Sequence, residues 1–118
     1  MATAYCIDIS GSVCDHQIKA AFDFVRKGIE PGDFIIVFDV RAVAVTLDYE
    51  KDTARFMGRG GTDAKEALQL AKELGAHQTV CISDGYMMPD QLDQFSKTID
   101  IVKLEESNGK HVVSCPRL

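Results

Sequence analysis

The chain reads as an α/β protein. Its expected core is a mostly parallel central sheet in the order 3-2-1-4-5, with strand three antiparallel, a further C-terminal strand at the far edge, and helices on both faces. Three observations predict this. Short apolar runs alternate with amphipathic stretches of helical period, the pattern of a parallel sheet sandwiched between helices. The run at 4–9, AYCIDI, is apolar but for Asp8 near its end, as expected of a strand covered on both faces. The second and third runs lie so close together that they fit a hairpin, which makes the third strand antiparallel to the second.

The elements follow in order. After the strand at 4–9 comes the turn DISGSV, then a helix that Asp15 can cap. In it Ile18, Ala21, Phe22 and Val25 recur at helical spacing, and Gly28 is placed to end it. EPGD turns the chain into a strand at 34–38, and 40–47 alternates apolar and polar residues less cleanly. Residues 48–59 are polar and irregular, the charged stretch 48–55 reads as a solvated connection, and the backbone-permissive GRGG closes the segment. Thr62 or Asp63 opens a second helix with the apolar face Ala64, Ala67, Leu68, Ala71 and Leu74, and Gly75 stops it. Residues 78–82, with the run TVCI, form the fourth strand and lead directly into SDG. Pro89 starts a short helix carrying Leu92 and Phe95, and 98–104 and 110–114 read as two last strands around the turn SNG.

The length of 118 residues suits one domain, spanning 1–118, with 46% hydrophobic and 26% charged residues. A net charge of −5 offers no general attraction for nucleic acid or an anionic membrane. No apolar run approaches the roughly 20 residues needed to span a bilayer, and MATAYCIDIS lacks a basic region followed by an apolar signal core, so the expectation is a cytoplasmic chain. Cys6, Cys14, Cys81 and Cys115 show neither CxxC spacing nor a Cys/His grouping of the zinc-binding kind, and read as reduced structural thiols. His16, His77 and His111 are scattered at polar segment edges, which does not suggest catalysis.

The polar turns converge if the topology holds. In open sheets of this type ligands bind outside the carboxyl ends of the strands, where the strand order reverses. With strand one central, that point falls between strands one and four. Asp8 ends the first and Asp84 the fourth. Ser10 and Ser12 occupy the loop leaving strand one, and Thr62 sits where the second helix begins. Two carboxylates and three hydroxyls make an oxygen-only set with room for water, which suits a hard divalent cation, magnesium first. With hydroxyls nearest the ion and the carboxylates acting partly through water, the metal stays electrophilic toward an outside anion.

DISGS, GGTD and SDG, each at its place on this pattern, resemble the metal-ion-dependent adhesion site (MIDAS) of the von Willebrand factor A (VWA) family. The family pattern D-x-S-x-S, T and D falls on Asp8, Ser10, Ser12, Thr62 and Asp84 without substitution. The resemblance covers nearly the whole chain and is strongest to short bacterial VWA-like domains found beside metallopeptidase segments. It implies a three-layer Rossmann-like VWA fold. It also implies a magnesium or manganese ion at those five residues and a protein partner whose Asp or Glu completes the coordination, with an AAA+ ATPase of the MoxR type as a candidate partner. The chain departs from the adhesion domains in ending with an apparent hairpin and no C-terminal amphipathic helix, so the helix-displacement switch of integrin domains is not implied. It contains no HExxH, so peptidase activity is not implied either.

Each piece alone also has a plainer reading. DISGS is ordinary turn and cap chemistry, and GRGGT lacks the GK[ST] ending of a phosphate-binding loop. Arg59 either steers an acidic partner or is a solvated loop residue. Tyr86, Met87 and Met88 either rim the ion or pack under the next helix, and Asp39 either supports the ligands or only makes a turn. Two other functions compete with a binding module: a metal-dependent hydrolase, and a structural domain with a vestigial site. The haloacid-dehalogenase reading of Asp8 fails at Ser10, because that chemistry needs an acid two residues on, and neither Ser10 nor Ser12 lies in a GxSxG elbow. The expectation is a non-catalytic chain.

Overall fold

The computed structural model describes residues 2–11, 13, 15–47, 63–85 and 88–106. Its elements are β1 (Thr3–Asp8), α1 (Asp15–Gly28), β2 (Phe34–Phe38), β3 (Ala42–Val45), α2 (Ala64–Glu73), β4 (Gln78–Ser83), α3 (Pro89–Leu92), β5 (Lys97–Asp100) and α4 (Ile101–Glu106). The five strands form one sheet in the order β3-β2-β1-β4-β5. β1 is central and parallel to both β2 and β4, β5 is parallel to β4, and β3 alone is antiparallel, against β2. The predicted mixed α/β topology is therefore the observed one.

Alternation along the strands divides the core in two. Ile7, Val37, Ile82 and Ile99 point to the side where Phe22 and Val25 of α1 pack, together with Leu104 of α4. Cys6, Phe38 and Cys81 point the other way, onto Ala64, Ala67 and Ala71 of α2. Phe38 also meets Phe95 there, with ring centroids 6.3 Å apart and planes 28° from parallel.

The ends of α2 have clear causes. Asp63 is the N-cap, in an extended conformation, and its Oδ1 accepts from the Lys65 amide at 2.9 Å. At the other end the amide of Gly75 bonds the Lys72 carbonyl and that of Ala76 the Ala71 carbonyl. That paired closure needs a left-handed residue, and Gly75 supplies it with φ +85°. α1 ends at Gly28 without a left-handed residue there.

The stretch at 98–104 departs from its expected strand. β5 stops at Asp100, and the helix α4 begins at Ile101. Asp100 accounts for the break: its Oδ1 accepts from the Val102 amide at 2.9 Å, the bond of a helix N-cap. Ile101 and Leu104, three apart, then face the same core. A short helix thus takes the place of the first part of the expected C-terminal hairpin, and the edge strand at 110–114 lies outside the described residues. β3 is also shorter than the predicted 40–47, because Asp39 and Arg41 close a turn before it: the Asp39 amide donates to the Arg41 carbonyl at 2.9 Å, and the Arg41 amide to Asp39 Oδ1 at 2.8 Å. Among the described residues no helix is long and apolar enough to cross a membrane.

Candidate functional site

A buried polar group costs free energy unless it is hydrogen-bonded, so the places where a protein keeps such groups are informative. The buried polar residues described are Asp8, Ser10, Asp39, Ser83 and Thr98. All but Thr98 lie at the carboxyl ends of β1, β2 and β4 or in the loops that leave them.

Asp8 is the centre of this group. It ends β1 and is inaccessible to solvent. Its Oδ1 accepts from the Ser10 amide at 2.9 Å, and its Oδ2 accepts from Ser83 Oγ at 2.8 Å. The Ser10 carbonyl in turn accepts from the Val13 amide at 2.9 Å, which tightens the loop. Burial pushes the Asp8 carboxyl above the usual carboxylate range; hydrogen bonds from Ser10 and Ser83 pull it back, and the neighbouring charge of Asp84 pushes it up again.

Asp84 follows β4 directly, in a turn where Gly85 has φ +88° and its amide donates to Ser83 Oγ at 3.1 Å. Asp84 is half-buried and takes part in other interactions, while its Oδ2 is buried and takes no hydrogen bond from the described residues. The structure thus brings Asp8, Ser10 and Asp84 to the ends of two adjacent strands. Ser12 and Thr62, the other two predicted ligands, lie outside the described residues, as do Arg59, Tyr86 and Met87. Met88 is 64% exposed.

The start of α2, next in sequence to Thr62, is tied to the same end of the sheet. The Asp63 amide donates to the Asp39 carbonyl at 2.8 Å, and the Ala64 amide to Gln91 Oε1 of α3 at 2.9 Å. Asp39 therefore does more than turn the chain: its carbonyl holds the N-cap residue of α2. Sequence reasoning left that open and missed Ser83 and Gln91. For Ser83 a signal exists. Ile82 pairs with Ile7 in the register, so Ser83 and Asp8 are the next residues on neighbouring strands, two polar groups in the same rank.

The donors present are oxygens, two of them carboxylates held near each other in a mostly buried place. That chemistry fits a hard divalent cation, which relieves the mutual repulsion and accepts water in its remaining positions. Among the described residues no group of three or more His, Cys, Asp or Glu is arranged to hold a metal. A separate cleft of about 430 Å³, lined in part by Tyr5, Phe24, Val80, Lys97 and Ile99, lies at the opposite, amino ends of the strands. The clustered carboxylates are not there.

No protein-family model matches the chain, and no curated protein matches its sequence. Among solved structures it is similar to an aerotolerance-related membrane protein from Bacteroides fragilis NCTC 9343, a form with multiple mutations to serines. The TM-score is 0.52 at 19% sequence identity, over 94% of this chain and 64% of that one. The chain thus spans less than two thirds of that neighbour. At this identity the likeness concerns the fold alone, and with the β3-β2-β1-β4-β5 sheet it supports a VWA-like fold.

Proposed function

We propose that the chain is a non-catalytic protein-binding module that captures an acidic residue of a partner through a magnesium or manganese ion held by Asp8, Ser10, Ser12, Thr62 and Asp84. One observation carries this reading: Asp8 and Asp84 leave the adjacent parallel strands β1 and β4 side by side, with Asp8 already oriented by Ser10 and Ser83. A bound cation supplies a Lewis-acidic centre with positions open to an outside oxygen.

The residues of the chain set how that centre is used. Two carboxylates balance a divalent charge, and neutral hydroxyls complete the set without adding negative charge. A further carboxylate can then approach without serious repulsion. Val40, 48% exposed after β2, and Met88, exposed before α3, are apolar residues in the segments that follow β2 and β4. An AAA+ ATPase of the MoxR type is the partner class that the VWA resemblance suggests.

The test has two stages. Calorimetric titration of Mg2+ or Mn2+ into chelator-treated protein is expected to give a single site that Asp8→Ala abolishes. Binding of a MoxR-type ATPase, measured with and without chelator, is expected to need the metal and to weaken in Thr62→Ala at saturating magnesium. Equal metal binding by the wild type and Asp8→Ala overturns the site, and partner binding indifferent to chelator removes the metal from recognition.

A further inference from the structure

The strand that delivers Asp84 also ends in a hydroxyl that touches both carboxylate segments. Ser83 is the last residue of β4 and is completely buried. Its Oγ donates to Asp8 Oδ2 at 2.8 Å and accepts from the Gly85 amide at 3.1 Å. A hydroxyl has one proton, so the carboxylate and the amide settle its orientation between them: hydrogen toward Asp8, lone pair toward Gly85.

We infer that Ser83 is a positioning residue: its Oγ holds the Asp8 carboxylate and the Ser83–Asp84–Gly85 turn in fixed relation, so that the two acids meet one cation. This rests on the metal reading above. Asp84 lies between the two residues that the Oγ–amide bond closes, and Gly85 takes up the tight turn with its φ of +88°. Asp8 reaches the same oxygen from a residue 75 positions away. Without the hydroxyl, Asp8 Oδ2 loses a donor, the Gly85 amide loses its acceptor, and each acid can reorient independently of the other. Groups that orient metal ligands in this way typically change affinity by about 10–100-fold when removed.

The experiment compares wild type, Ser83→Ala, Ser83→Thr and Ser83→Cys in the full chain. Manganese affinity is read from the electron paramagnetic resonance signal of free Mn2+, and thermal unfolding is followed in chelator. Ser83→Ala is expected to bind Mn2+ about 10–100-fold more weakly, with Ser83→Thr, which keeps the hydroxyl, close to wild type. If Ser83→Ala does not fold, Ser83→Cys takes its place, since a thiol is a weak donor. A folded variant without the hydroxyl that binds Mn2+ as tightly as wild type overturns the inference, even if its apo form melts earlier, because the hydroxyl would then serve stability alone. Absence of Mn2+ binding by the wild type instead removes the proposed function, and this inference with it.

Discussion

The two faces of the sheet are built on different plans. Toward α1 the core is filled with branched and aromatic side chains: Ile7, Ile82, Ile99, Phe22 and Val25. Toward α2 the strands present Cys6, Cys81, Ile36 and Phe38, and the helix meets them with the buried Ala64, Ala67 and Ala71. Small buried side chains on the helix let it approach the sheet, because side-chain bulk sets the spacing of packed elements. The same helix begins at Asp63, which bonds the Asp39 carbonyl beside the strand ends that carry the acids. The α1 helix therefore meets the sheet with bulky side chains, while α2 meets it with small ones and begins near the site.

Substitutions can break this contrast, the strongest first. Phe22→Ala empties a completely buried position on the bulky face and should cost about 3–5 kcal/mol in denaturant unfolding. Ala67→Leu adds volume where the other plan has no space, and should cost about 1–3 kcal/mol through overpacking. If Ala67→Leu proves neutral, α2 is not packed closely and the contrast fails. Asp63→Ala removes the N-cap bond to the Lys65 amide and should lower stability by about 1 kcal/mol, read as a fall in melting temperature.

The smallest effect sharpens the comparison of the two helix ends. Gly28 has no left-handed φ, and an added Cβ would lie 3.7 Å from the Tyr5 hydroxyl oxygen, an ordinary contact. Gly28→Ala should raise stability by about 0.4–1 kcal/mol through the unfolded chain. Gly75→Ala should instead lower it, because φ +85° is strained for any residue with a Cβ. Opposite signs for the two in one thermal-melt experiment are the expected outcome.

The topology was legible because each of its cues is local or periodic. A continuous apolar run marks a strand covered on both sides, and the short gap after the 34–38 run marks the hairpin. Placement of Asp8 and Asp84 together followed from that topology, since Asp8 ends β1 and Asp84 directly follows the adjacent β4. Ser83 was not legible in the same way: a serine after TVCI reads as turn chemistry until the register with Ile7 is known. The stretch at 98–104 misled for a different reason. Ile99 and Ile101 both face the α1 core, so the period of two continues across the junction, while the Asp100 cap turns the backbone into α4. A local hydrogen bond decided there, and hydropathy alone could not weigh it.

Cys6 and Cys81 occupy matched positions on β1 and β4, neither forms a disulfide, and both are inaccessible. Burial pushes the Cys6 thiol up to about 12, so near neutral pH it holds its proton and is a poor nucleophile. An alkylating reagent or peroxide can reach the central strands only when the sheet opens. The two thiols then act as a clock: their modification rate counts the opening events of β1 and β4. Mass-spectrometric labelling at about pH 8 should show Cys6 and Cys81 reacting together, slowly, and at a rate that rises with denaturant as global unfolding does. Fast labelling of Cys6 in the native protein would mean that β1 and β4 part without the rest of the fold.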